Sequence, residues 1–153
     1  MTIAKPPLNP AEKARQTRMG LLARANPAQL CALLPAALPA HEFLRRPEVG
    51  AVMVQGRVGA VGAPFNLGEM SVTRCSVRLA TGEVGHAHVQ GRDKTHATQA
   101  AIVDAMMQGD AAVTLQPVLD RLASDEAETR RSRAEKAAAT KVEFFTLVRG
   151  EDQ

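Results

Sequence analysis

Between positions 74 and 96 the chain gathers the side chains best suited to chemistry: His86, His88, His96, Cys75 and the cations Arg74, Arg78, Arg92 and Lys94. His86 and His88 are two apart on an expected strand, so they point to one face. Imidazole and thiolate both bind zinc, which makes His86, His88 and His96 a candidate metal centre, with Cys75 on the neighbouring strand. No carboxylate ligand accompanies them. The four cations are a second candidate. Guanidinium groups sharing a sheet face make paired hydrogen bonds to phosphate or carboxylate, so Arg74, Arg78, Arg92 and Lys94 read as an anion or partner patch.

Other chemistries find less support. The chain has no GxxxxGK[ST], no GxGxxG after a strand and no GxSxG. The glycines from Gly56 to Gly62 lack a following Lys-Ser/Thr or helix, and read as a turn. Cys75, mid-strand among apolar neighbours, and Cys31, in a leucine-rich helix, both read as buried, unreactive thiols. Glu69, Asp93 and Asp104 are the candidate acids or bases. Asp93 suits a helix cap, and Asp104 suits bonding to a neighbouring strand or partner. The residues form no catalytic constellation.

A strand–turn–helix unit must position these groups. A strand ends at Gln90, Gly91 permits a sharp turn, and Asp93 caps a helix running to Gln108. Arg92 and Lys94 then flank free N–H groups at the helix end. This helix is apolar almost all round, so it crosses the core or lies in an interface, with Ile102 and Met106 as candidate contacts. Ahead of it, Met70 to Leu79 alternates as a strand, Thr81-Gly82 marks a hairpin, and Glu83 to Gln90 returns. Arg74 and Arg78 therefore share a face, next to the turn at Gly91.

The remaining segments follow from local signals. Residues 1–9 read as a flexible arm and 10–150 as a single domain. Asn9-Pro10 opens a helix through Ala25, and Asn26-Pro27 opens a short one closed by Pro35, giving a helical hairpin. His41 to Arg46 reads as a strand stopped by Pro47, and Val49 to Val58 as another. Leu115 to Leu122 begins a helix with Pro117 tolerated near its start. Residues 124–136 are polar with charges that pair at helical spacing, an exposed or partner-bridging helix. Lys141 to Arg149, with Phe144 and Phe145, reads as a terminal strand and a candidate interface. The fold class is α+β: an N-terminal helical hairpin and an antiparallel sheet of about four to five strands with packed helices.

Composition narrows the classes. The 153 residues are 45% hydrophobic, enough for a core, but include no Trp, no Tyr and four Phe. Leu, Val, Ala and six Met must fill it. A net charge of +3, without aromatic platforms, does not point to nucleic acid. No signal peptide or membrane span is visible, which implies a soluble, cytoplasmic protein.

Several separated segments together resemble one family. They are RQTRMGLLA at 15–23, RPEVG at 46–50, VQGR at 54–57, PFNLGEMSVTR at 64–74, VRL at 77–79, GHAHVQGRDK at 85–94, HA at 96–97, DA at 104–105 and VEFFTLVRG at 142–150. Their order and spacing resemble the PhnG family, the small G subunit of the bacterial carbon–phosphorus lyase core complex. The resemblance implies a two-fold assembly with H, I and J subunits, and thus a second copy of the chain. It also implies ribosyl transfer with the L protein, in which methylphosphonate displaces adenine from ATP. The product is α-D-ribose 1-methylphosphonate 5-triphosphate. Catalytic residues are expected on the I subunit. This chain alone binds no cofactor, while the complex uses ATP. The competing reading from the residues is a small independent metalloenzyme using His86, His88 and His96.

Overall fold

The computed structural model describes residues 7–141. Helix α1 (Pro10–Arg24) begins where Asn9 and Glu12 form a reciprocal capping box, with Pro10 in the first turn. Asn26 then caps α2 (Pro27–Leu33) through bonds to the N–H groups of Ala28 and Gln29. Three strands follow: β1 (His41–Arg57), β2 (Pro64–Leu79) and β3 (Val84–Gln90). Helix α3 (Lys94–Met106) and the 28-residue α4 (Ala112–Ala139) complete the described chain.

The sheet is antiparallel in the order β1-β2-β3, so it has three strands among the described residues rather than four to five. Two expected strands are one. β1 continues through Pro47, and the register shifts between Phe43 and Arg45 and between Arg45 and Glu48. Such irregularities leave residues outside the ladder, which is where a proline lacking an N–H is tolerated. β2 likewise begins at Pro64, ahead of the expected Met70, because Pro64 to Glu69 finds a partner in Met53 to Arg57. The Gly56–Gly62 segment is the tip of this hairpin, with Gly59 at φ 56°. The expected terminal strand lies outside the described residues.

α3 crosses one face of the sheet. Its Ala97, Ala100, Ala101, Ile102, Val103 and Ala105 are buried against Cys75 and Val77 of β2 and Ala87 and Val89 of β3. Leu22, Leu30 and Leu34 of the helical hairpin and Leu115, Leu119 and Leu122 of α4 close the core. Among the described residues no Met or Phe is fully buried, so methionine does not fill the interior as its abundance suggested. Alanine does, because α3 lies unusually close to β3. A Cβ placed on Gly85 would meet the Ala101 carbonyl oxygen at 1.9 Å.

Among the described residues the far part of the β1–β2 hairpin has no third strand, since β3 pairs only with Val72 to Arg78. Exposed large apolar residues concentrate there and beside it: Phe43, Leu44, Val49, Met53, Val58, Val61, Phe65 and Leu67. Beyond Glu126, α4 is almost wholly exposed and runs on for about 20 Å at 1.5 Å per residue. Its charges pair at helical spacing, Arg121 with Asp125 at 3.1 Å and Arg130 with Glu126 at 3.3 Å.

Candidate functional site

The strand–turn–helix unit has the local geometry its residues dictate. Gly91 adopts φ 92°, a conformation that favours glycine. Its N–H donates to Ser71 O at 2.8 Å, and Thr73 Oγ1 donates to Gly91 O at 2.8 Å. The Asp93 carboxylate accepts from His96 N at 2.8 Å and caps α3. That carboxylate already occupies the helix N-terminus. Arg92 and Lys94 are exposed beside it, and neither is ion-paired among the described residues.

The four cations do not form one patch. Arg74 and Arg78 stand on the sheet face opposite α3, but Arg74 pairs with His88 and Arg78 with Val84 at the far end of β3. At about 3.4 Å per residue, Arg78 lies roughly 20 Å from the turn at Gly91. Both are also neutralised across the strands. Arg74 Nη2 meets Glu48 Oε1 at 3.0 Å, and Arg78 Nη1 meets Glu42 Oε1 at 2.9 Å. Arg45 shares Glu48 at 3.0 Å. Between them Ser76 Oγ and His86 Nδ1 are 2.8 Å apart. This outer face is a checkerboard of arginine, glutamate, histidine and serine. It is exposed, rich in donors and able to recognise an anion or a charged protein surface. Arg45, Glu42 and Glu48 escaped the sequence reading, because only the register of β1 against β2 brings them here.

The metal centre is overturned by the same topology. His86 and His88 are exposed on the outer face, whereas His96 is buried on the other side of the sheet. His96 Nε2 lies 2.8 Å from Leu22 O. A carbonyl only accepts, so Nε2 carries its hydrogen and has no lone pair for a metal. Cys75 faces the core, where burial pushes its thiol above the ordinary value and a Thr98 contact pulls it partly back. Among the described residues no group of three or more His, Cys, Asp or Glu is placed to hold a metal ion. Cys31 is a further correction: it is exposed, because α2 turns that flank outward while Leu30 and Leu34 enter the core.

The other candidates are placed as follows. Ile102 is fully buried in the chain's own core, which withdraws it from any partner surface, and Met106 is half-buried at the margin. Phe144 and Phe145 lie outside the described residues. Asp104 anchors the free edge of β3. It is fully buried and accepts from His86 N at 3.0 Å and from Arg15 Nη2 at 2.7 Å. Arg15 also donates to Val84 O at 3.1 Å, and the Asp104 contact holds its guanidinium above the usual range. Gln108 Nε2 adds a second bond to Val84 O at 2.7 Å. These side chains occupy edge groups that would otherwise invite another strand. An open cleft of about 740 Å³ lies between the α1–α2 corner and α4, lined by Arg24, Gln29, Asp125, Glu126 and Arg130. Arg24 and Glu126 close on each other there at 2.7 Å, and this pairing holds the Glu126 carboxyl below its usual range. No helix among the described residues is long and apolar enough to cross a membrane.

Fold and site thus define an α+β protein with an exposed polar sheet face and an exposed apolar hairpin beside a small aliphatic core. The chain belongs to the PhnG family: the family described as phosphonate metabolism protein PhnG matches residues 13–150. A relative from Rhizobium meliloti (strain 1021) is 47% identical over 142 residues, covering 90% of each chain. That protein is named α-D-ribose 1-methylphosphonate 5-triphosphate synthase subunit PhnG.

Proposed function

We propose that this chain is a non-autonomous subunit of α-D-ribose 1-methylphosphonate 5-triphosphate synthase, acting in the breakdown of organic phosphonates. The observation that carries this is the relative's identity of 47% across nine-tenths of both chains. In the reaction, a phosphonate oxygen of methylphosphonate bonds to ribose C1 of ATP as the C1–N bond to adenine breaks. Adenine leaves and the 5-triphosphate stays. We place the reacting residues on the I subunit, with G and H completing the assembly, the L protein assisting, and the J subunit cleaving the carbon–phosphorus bond later.

The chain's own surfaces support a supporting role. The exposed hairpin, the charged and exposed end of α4 and the outer sheet face suit contact with partners. Both substrates are anionic, so the arginines of that face serve either to seat a partner's carboxylates or to guide the triphosphate. The reading carries no cofactor on this chain; ATP belongs to the complex.

Co-expression tests it. The tagged chain is produced with the H, I and J subunits, and adenine release from ATP plus methylphosphonate is followed with the L protein added. Co-purification, with synthesis lost when this chain is omitted, is the expected result. Full synthesis without it refutes the proposal.

A further inference from the structure

The face of α4 that builds the core changes chemistry without changing direction. Leu115, Leu119 and Leu122 are buried on it. At about 3.6 residues per turn, Thr129 lies about two turns past Leu122 and Lys136 about four, while Arg133 lies about five turns past Leu115. These residues continue the leucine stripe, with Arg130 beside them. Past Glu126 the stripe faces the open cleft rather than a core. Leu21, Ala23, Ala25 and Leu122 give the cleft an apolar floor, and Arg130 and Arg133 line its α4 side. A second hollow of about 520 Å³ shares Gln29, Thr129 and Arg133 with it and extends to Lys136.

The charges along this cleft do not cancel. Asp125 is taken up by Arg121 at 3.1 Å and by Gln29. Glu126 is taken up by Arg24 at 2.7 Å and Arg130 at 3.3 Å. Among the described residues Arg133 and Lys136 have no ion pair, and Glu128 is the one other acid lining the cleft. Cations above an apolar floor complement a segment that carries apolar residues on one side and carboxylates beside them. Residues 142–150 of the chain itself bring no net negative charge to that match, since Glu143 and Arg149 offset each other.

We propose that the cleft seats an acidic, amphipathic segment of a partner subunit, its apolar side on Leu21, Ala25 and Leu122 and its carboxylates on Arg133 and Lys136. The inference rests on the synthase-subunit reading, which supplies the partners. Arg133 and Lys136 stand about 4.5 Å apart along the helix axis, the spacing of carboxylates three residues apart on a partner helix. Arg133 can take its carboxylate through two parallel bonds, whereas Lys136 acts as a point charge. Arg131 is exposed on the opposite side of α4 and takes no part.

The test uses the full chain in the complex co-expressed with the H, I and J subunits. Carbodiimide joins a lysine amine to a carboxylate in direct contact. Mass spectrometry should find Lys136 joined to an Asp or Glu of a partner subunit, with another acid three or four residues away. Arg133→Glu and Arg131→Glu change the net charge equally but on opposite faces. Each variant is co-expressed with the unaltered chain, and the ratio of the two in the assembled complex is read. Arg133→Glu should be under-represented about tenfold or more, and Arg131→Glu by less than about twofold. Equal ratios for the two variants overturn the proposal. So does Lys136 joined to residues 142–153 of its own chain, which assigns the cleft to the terminal segment, or Lys136 joined to nothing. An unaltered chain that captures none of the subunits overturns the synthase reading and this inference with it. Intact assembly with Arg133→Glu fully represented overturns this inference alone.

Discussion

Gly85→Ala should cripple the fold, although it adds one methyl group. The new Cβ would lie 1.9 Å from Ala101 O, 2.5 Å from Ala105 N and 2.8 Å from Ala105 Cβ. A carbon and a carbonyl oxygen rest at about 3.3 Å or more, so β3 and α3 must part by about 1.4 Å. Two of the three obstacles are backbone atoms, which no rotamer change can move. The separation also stretches the bond from His86 N to Asp104, now 3.0 Å. Overpacking costs about 1–3 kcal/mol, and a weakened bond to a charged acceptor adds about 1.5 or more. We expect a loss of about 4 kcal/mol, a large share of the 5–15 kcal/mol that small domains possess. Urea denaturation followed by far-ultraviolet circular dichroism reads it. With a slope of about 2 kcal/mol per molar, the midpoint falls by about 2 M. Ala105→Gly added to this variant relieves only the Cβ contact and should restore little. A midpoint shift below about 0.5 M would refute the close-approach argument.

Other outcomes follow from the same geometry. Arg15→Leu strands the buried Asp104 carboxylate and should cost about 3 kcal/mol, seen as a fall in Tm of roughly 6–12 °C; adding Asp104→Asn should recover part of it. Thiol titration with a disulfide reagent at pH 8 should modify Cys31 promptly and Cys75 only after urea unfolding. Burial raises the Cys75 thiol above its ordinary 9.0, so the unfolded chain loses that proton first. Stability is therefore steady below about pH 9 and declines above it, and Cys75→Ala should flatten that decline. Arg74→Gln and Arg78→Gln break half-exposed cross-strand pairs and should change stability by less than about 1 kcal/mol. If the outer face guides the triphosphate, they lower adenine release without altering co-purification, and unchanged release in both variants removes that role.

Much of this protein was legible as sequence because the deciding interactions are local. Asn9 and Pro10 start α1, Asn26 and Pro27 start α2, Gly91 and Asp93 turn β3 into α3, and Thr81-Gly82 closes a hairpin. Each is a side chain acting on backbone within a few residues. The family was legible too, since spaced short segments along most of the chain carry it. The long β1 and β2 were not. Pro47 and the glycines of the hairpin tip read as breaks, and only pairing with a distant strand overrides that local preference. Tertiary structure alone decided which side chains meet. It put His96 behind the sheet and His86 in front, set Glu42 and Glu48 against Arg78 and Arg74, and placed Asp104 with Arg15. It buried Ile102, exposed Cys31, and required Gly85 to have no side chain. Those outcomes depend on register and on which face a helix covers, and a linear pattern with a period of two or 3.6 residues fixes neither.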